Sequence, residues 1–421
     1  MRFMHCGREE FLKRTENRRL VLFGASVQPH EVELDLREKF GVELSDYVDG
    51  IVDNGAKKWG TDFSVGSNTL KIESPAALRK KDWSKAAILI TSRFYLEIIK
   101  QLDAMPELCE AEVYAWPCVI LDMELTPEGK YERRITGEAI KQYNDYLKAV
   151  RCDNEKKEQM LSAVREKISA PGYRVLPRVV LMHSNICTLH CKYCCDLIPQ
   201  VKKTYYIRAD EIIKNLQLLL TGVDMCVSAD LTDGEGLLYR ELDTLLEFLL
   251  NEDKIETVLL MSNGTVIPKE STLNLMRHPK FWINFSDYGV GEKFQAVRDK
   301  LNAYDIQYTV NESLVWKDFG VHDLKKREES RELLRYEFLR CCNKMCSKAY
   351  IDRKLYACMP AFRMSNLGIY QSDKDYIQIN ETDTPSEIWE KIVNLCMINY
   401  IDACDYCNFE NTGVPFVPIG N

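Results

Sequence analysis

Between residues 19 and 121 the apolar positions fall in short β-rich runs, RLVLFG, YVDGIVDN, AAILITS and AEVYAWPCVIL, separated by stretches with apolar residues three to four apart. Runs of the first kind suit buried strands, and the second spacing lays one apolar stripe along a helix. Residues 29–40 and 93–103 are the helices expected, with Pro29 in a first turn, where its missing N–H is not needed. Strands and helices in alternation predict a small Rossmann-like parallel sheet over 17–122. From 123 to 174 the chain is highly charged with sparse apolar residues at helical spacing until Pro171-Gly172, which reads as a helical connector. The alternation restarts at Val175 with RVVLMHS, VDMCVSAD, IETVLLMSNG and FWINFSD, predicting a second α/β domain over 175–335. Residues 336–421 show little periodicity and hold Cys341, Cys342, Cys346, Cys358, Cys396, Cys404 and Cys407, so this part is expected to be stapled by metal rather than by a core.

Length and charge narrow the picture. The chain has 421 residues, room for two to four domains. Its 64 Asp plus Glu exceed 56 Lys plus Arg, with no basic half, so nucleic acid is not an expected partner. The longest apolar stretches, such as 86–90 and 218–220, fall far short of the roughly 18 residues that span a bilayer, so no membrane segment is expected. The start MRFMHCGREEFLKR lacks the apolar run of a secretory peptide, which predicts a cytoplasmic address. Sixteen cysteines in a reducing compartment then point to metal or redox chemistry rather than to disulfides.

The densest chemistry is S-N-I-C-T-L-H-C-K-Y-C, which sets Cys187, Cys191 and Cys194 in a short loop directly after a predicted strand. Three thiolates can wrap a cubane iron-sulfur cluster and leave its fourth iron open to a small molecule. A zinc site or a group of buried thiols is the alternative, but zinc usually takes four ligands, and the next local thiol, Cys195, adjoins Cys194 too closely to share one ion comfortably.

The spacing CxxxCxxC, with Tyr193 before the last cysteine, resembles the signature of the radical S-adenosylmethionine (SAM, AdoMet) superfamily. The resemblance implies an incomplete (β/α)6 barrel in which Cys187, Cys191 and Cys194 hold a [4Fe-4S] cluster and the methionyl amine and carboxylate of SAM bind its fourth iron. Reductive cleavage of SAM would then yield a 5′-deoxyadenosyl radical that takes a hydrogen atom from substrate. Asp233, Gly234, Glu235 and Gly236 occupy the places of the family's GGEP turn, with Asp for the first Gly and Gly for Pro. Ser262-Asn263-Gly264-Thr265 resembles its TNGT, and Ser286-Asp287 ends a fourth strand where SAM- or substrate-facing groups often sit. Tyr193, Asp233, Gly234, Glu235, Ser262, Asn263, Ser286 and Asp287 are thus the implied cofactor-binding residues. Cys226, on a predicted barrel strand, is a candidate hydrogen donor, with an ordinary core cysteine as the alternative.

Toward the C-terminus, IDRKLYAC resembles the hairpin of SPASM and twitch domains, with Arg353 in place of its usual Gly, and Cys404 and Cys407 form a CxxC. Cys346, Cys358, Cys404 and Cys407, with Cys342 a possible substitute for one of them, would hold one auxiliary [4Fe-4S] cluster; a structural zinc is the alternative. In the N-terminal part only Gly24 of a GxGxxG pattern is present, and Asp53 ends the next strand where a ribose-binding acid would sit, although V-D-N is equally a strand-ending turn. This layout resembles Rossmann-like domains of bacterial sugar-modifying enzymes and leaves a nucleotide, a nucleotide-sugar or a partner surface open. The leading expectation is a radical SAM oxidoreductase or epimerase, fed by an electron donor such as flavodoxin or ferredoxin, acting on a carbohydrate or nucleotide-linked sugar. Peptide modification, and a non-catalytic electron relay or metal-stapled scaffold, are the competing readings.

Overall fold

The computed structural model describes residues 1–92, 94–120, 127–194, 196–289, 291–311, 315–317, 325–341, 348–407 and 416–418. Its chain divides into two compact units. The first comprises 1–129, 331–340 and 411–413; the second comprises 130–330, 341–410 and 414–421.

The first unit is built on a seven-stranded sheet of β1 (Arg2–Phe3), β2 (Arg19–Phe23), β3 (Val48–Val52), β4 (Asp62–Val65), β5 (Asn68–Glu73), β6 (Ala86–Ile90) and β7 (Glu112–Ala115), in the order β1-β7-β6-β2-β3-β5-β4. All pairings are parallel except β4 with β5. Four residues of β2 and all five of β6 are buried, because helices cover both faces and leave such strands no polar side. Two cores result. One gathers Val21, Phe23, Ile88 and Ile90 with Ile98 and Leu102, and the other gathers Leu20, Leu22 and Leu89 with Val32 and Leu36. The helix Arg331–Arg340 adds Leu333 and Leu339 to the first of these cores. Two features depart from the sequence reading: β1 lies before residue 17, and the antiparallel β4–β5 hairpin is an addition at the edge.

The second unit carries β8 (Val175–Leu181), β9 (Met225–Leu231), β10 (Ile255–Ser262), β11 (Phe281–Ser286), β12 (Tyr308–Asn311), β13 (Val315–Lys317), β14 (Ala349–Ile351), β15 (Lys354–Tyr356), β16 (Tyr376–Gln378) and β17 (Phe416–Pro418). Strands β8 to β12 are parallel and adjacent in chain order, joined by helices Ala209–Thr221, Leu242–Asn251, Glu270–Met276 and Glu292–Ala303. The helix at 209–221 shows why: Ile212, Leu216, Leu219 and Leu220 repeat at three to four residues and are buried.

Beyond β12 the sheet departs from chain order. The strand that follows β12 does not extend the parallel sheet: β13 pairs antiparallel with β17 in a separate ribbon. A sixth parallel strand, β14, joins at the other edge beside β8, and β15 and β16 continue the sheet antiparallel from it. The segment after 336 has a core where the sequence predicts little, since β14–β16 belong to the sheet and Ala349, Leu355 and Ile379 are fully buried. The charged connector is helical as expected, and its helix Glu138–Ala149 packs on β8 and β9 through buried Tyr143, Tyr146 and Leu147. No helix among the described residues is long and apolar enough to cross a membrane.

Candidate metal and AdoMet site

Cys187, Cys191 and Cys194 lie on the loop between β8 and the helix at 209–221, at the carboxyl ends of the parallel strands. The loop is fixed by its neighbours. Glu235 N–H donates to the Ile186 carbonyl at 2.8 Å, joining it to the turn after β9. Gly234 makes that approach possible: its φ is +59°, and a Cβ there would lie 3.0 Å from the Ser184 carbonyl oxygen and closer still to that of Ile186. On the other side, Asn263 Nδ2 donates to Thr188 Oγ1 at 2.9 Å and to Cys187 Sγ at 3.6 Å, and the Thr188 and Thr265 hydroxyls are 2.6 Å apart.

The two turns are also tied to each other. Glu235, 2% exposed, accepts Asn263 N–H at 2.8 Å and Leu237 N–H at 3.2 Å. Burial pushes its carboxyl up to about 6 despite those donors. Ser262 Oγ accepts Gly264 N–H at 3.1 Å, which closes the turn after β10. Segments ending three successive strands, β8, β9 and β10, thus form one hydrogen-bonded unit. Tyr193 is half-buried with the Lys192 ammonium 5.1 Å from its ring centre. Ser286 and Asp287 end β11, where Asp287 Oδ1 caps its own turn by accepting Gly289 N–H at 2.8 Å.

The three thiols interact electrostatically in sequence, Cys187 with Cys191 and Cys191 with Cys194. Burial raises all three, Cys194 to about 12 with Asp196 adding to the shift. The groups that shift them include no cationic side chain. Three soft thiol donors in one loop are the ligand set that an iron-sulfur cluster takes, so the donor chemistry fits one. Among the described residues, no three His, Cys, Asp or Glu side chains converge tightly enough to hold a single metal ion.

The structure gives Asp233 a different partner from the one the motif implies. It is fully buried, paired with Arg363, hydrogen-bonded by the Tyr205 hydroxyl, and it accepts His183 N–H at 3.2 Å. Its oxygens are taken up by Arg363, the Tyr205 hydroxyl and His183 N–H, so its expected role at the cofactor is corrected to an internal ion pair. Cys226 is corrected too. It is fully buried as the second residue of β9, with Sγ directed to the Ser228 carbonyl at 3.4 Å. About 16 Å of strand separates it from the carboxyl end of β9, at roughly 3.3 Å per residue. Burial and the Asp230 charge also push its thiol far up. It is a core cysteine.

Of the auxiliary cysteines, Cys342 and Cys346 lie outside the described residues. Cys358 caps the helix Met359–Asn366, and Cys404 and Cys407 bracket a short turn closed by Cys407 N–H donating to the Cys404 carbonyl at 3.2 Å. Burial holds Cys404 well above its ordinary value, and Cys341, Cys358 and Cys407 all add to the shift. Cys404 is thus within electrostatic reach of the other three thiols. Cys341 is not singled out from R-C-C-N-K-M-C, which offers three thiols among which spacing does not choose.

In the first unit a cleft of about 870 Å³ opens where β2, β3 and β6 end. Gly24, at φ +122°, is required there because a Cβ would meet the Thr91 carbonyl oxygen at 2.6 Å. Asp53 does not wait for a ribose: it accepts Ala25 N–H at 2.8 Å, Gly55 N–H at 2.7 Å and Lys58 Nζ at 3.0 Å. Burial alone would raise its pKa, but these donors outweigh it and leave the carboxyl below its usual value.

No family model matches the chain, and no curated protein matches it. Among solved structures it is similar to native anSMEcpe with bound AdoMet, at 16% identity and TM-score 0.36, covering 53% of this chain and 83% of that one. BtrN in complex with AdoMet and 2-DOIA matches at 18% identity and TM-score 0.40, covering 56% and 93%. Streptococcus suis SuiB bound to S-adenosylmethionine matches at 15% and 0.26, covering 39% of this chain and 42% of SuiB. These neighbours are radical SAM enzymes. At such scores the likeness is partial, and the function rests on the chain's own residues.

Proposed function

We propose that this chain is a radical SAM enzyme in which Cys187, Cys191 and Cys194 hold a [4Fe-4S] cluster and the turns at 233–236 and 262–265 receive AdoMet. The observation that carries the reading is the union of the cysteine loop with both turns through Ile186, Glu235, Asn263 and Thr265. Bound there, cluster and AdoMet would supply reductive cleavage of a sulfonium and removal of a hydrogen atom from an unactivated C–H bond. The chain's own part is to position and to shield. Asn263 sits against Cys187 and orients the loop, while Glu235 keeps carboxylate lone pairs beside it for an incoming ammonium.

One face of β8–β10 carries Arg178, Ser228, Asp230 and Thr257, with Arg178 paired to a fully buried Asp230. This polar row suits a hydroxyl-bearing substrate, so oxidation or epimerisation of a carbohydrate or nucleotide-linked sugar is the reaction proposed, with reduction by a flavodoxin or ferredoxin. Cys341, Cys358, Cys404 and Cys407 are the proposed ligands of one auxiliary [4Fe-4S] cluster, supported by the electrostatic interaction of Cys404 with each of the other three.

Anaerobic reconstitution followed by dithionite and AdoMet should yield 5′-deoxyadenosine and methionine, and Cys191→Ala should yield neither. Formation of neither by the wild type would defeat the reading. Deuterated sugars and nucleotide-sugars should pass label into 5′-deoxyadenosine; label arriving only from peptides would replace the substrate class with the peptide alternative.

A further inference from the structure

Arg363 is fully buried on the helix that begins at Cys358, yet its partners lie in the opposite half of the unit's sequence. Its Nη2 pairs with Asp233, and its Nη1 donates to Tyr205 Oη at 2.8 Å. Tyr205 in turn donates to Asp233, which also holds the backbone of His183 at the end of β8. Through Asp233, one guanidinium therefore joins the backbone that follows β8 at His183, the turn that carries Gly234 and Glu235, and the helix of the C-terminal cysteines.

We propose that Arg363 and Asp233 are a positioning pair that sets the AdoMet-side turn from the C-terminal cysteine segment; this rests on the function proposed above. A buried ion pair is a poor source of stability, because desolvation offsets most of the attraction. Its geometric effect is different. Removing one partner strands a charge in the interior, and the stranded group draws the turn out of place; removing both leaves a neutral contact. Gly234 and Glu235 follow Asp233 directly, so any displacement is passed to the groups that face the cofactor.

The test uses full-length, anaerobically reconstituted protein: wild type, Arg363→Met, Asp233→Asn and the double variant. AdoMet affinity is measured on iron-loaded protein, together with the change that AdoMet causes in the EPR spectrum of the reduced cluster. Each single substitution is expected to weaken AdoMet binding about tenfold or more and to diminish the AdoMet-induced spectral change, and the double variant to recover most of the loss. A purely structural pair would lower yield or melting temperature but leave the affinity and spectrum of the loaded fraction unchanged. If Arg363→Met does not fold, Arg363→Lys, which keeps the buried charge but loses the fork that spans Asp233 and Tyr205, is read in its place: weakened AdoMet binding with a diminished spectral change supports the pair, and wild-type values overturn it. Wild-type affinity in loaded Arg363→Met, or a double variant as impaired as the singles, overturns the pair alone. Absence of AdoMet binding by the wild type overturns the site reading and the pair with it.

Discussion

The close approach between the cysteine loop and the turn after β9 makes Gly234→Ala a demanding perturbation. Two costs add. Gly234 has φ +59°, and a side chain in that left-handed region costs roughly 1–2 kcal/mol. The new Cβ would also fall against the Ile186 and Ser184 carbonyl oxygens, which are backbone and have no rotamer with which to move aside. Overpacking of this kind costs roughly 1–3 kcal/mol, for a total of about 2–5 kcal/mol. Gly368 provides the comparison. Its φ is +71°, but nothing lies within 4 Å of where a methyl group would sit, so Gly368→Ala should cost only the backbone part, about 1–2 kcal/mol. Urea unfolding followed by circular dichroism under anaerobic conditions reads both as midpoint shifts at constant slope. Because Ile186 precedes Cys187, relief of the clash must displace the first cysteine, so Gly234→Ala should also load less iron at the first site while Gly368→Ala loads normally. Equal destabilisation by the two substitutions, with normal iron in both, would refute the argument that the cysteine loop is docked on this turn.

Three further outcomes are expected. Iron counting should give about eight atoms per wild-type chain and about four in Cys341→Ala, with the exposed Cys109→Ala as a control near eight; full iron in Cys341→Ala would move the fourth ligand elsewhere. Asp53→Asn should destabilise the first unit by about 2–4 kcal/mol near neutral pH, since an ionised acceptor serving Ala25, Gly55 and Lys58 is lost. Because the folded pKa of Asp53 is depressed, its contribution is present above the ordinary value of 3.8 and fades as pH falls through the folded value, so the difference between wild type and variant should shrink in acid. Glu33 has the opposite sign: burial, reinforced by Glu43, raises it from 4.5 to about 6, so the folded state favours its proton and wild-type stability falls as pH rises across that interval. Glu33→Gln should therefore gain about 1 kcal/mol at pH 7, after allowance for solvent screening, and nothing at pH 4. Thermal melts at the two pH values check it, and an equal gain at both would contradict the assignment.

How much of the molecule is legible in its sequence depends on how far apart along the chain the interacting groups lie. The strands around RLVLFG and AAILITS are visible because a buried parallel strand is apolar on both sides, a property each segment displays alone. AEVYAWPCVIL reads as too long a strand: Pro117 turns the chain into a short helix at Trp116–Val119, so only Glu112–Ala115 pairs. The tripod Cys187, Cys191 and Cys194 is likewise local, as are the turns at 233–236 and 262–265. Asp233 misleads because its partner is 130 residues away. Nothing near position 363 distinguishes an arginine that will be buried from one that will face water, and nothing near 233 says that its carboxylate has been claimed. Asp53 is ambiguous for a related reason, since a strand-ending acid that braces its own turn and one that awaits a ribose have the same sequence. Both cases point in one direction. A carboxylate at a strand end reads as available for a ligand until the fold shows which backbone and side-chain donors have already reached it, so the acids left over once those donors are counted are the ones with capacity for a substrate. By that measure Glu235, which serves two backbone N–H groups and the Ser262 hydroxyl but is shifted by no cationic side chain, is, rather than Asp233, the carboxylate that Glu235→Gln should show to matter for AdoMet.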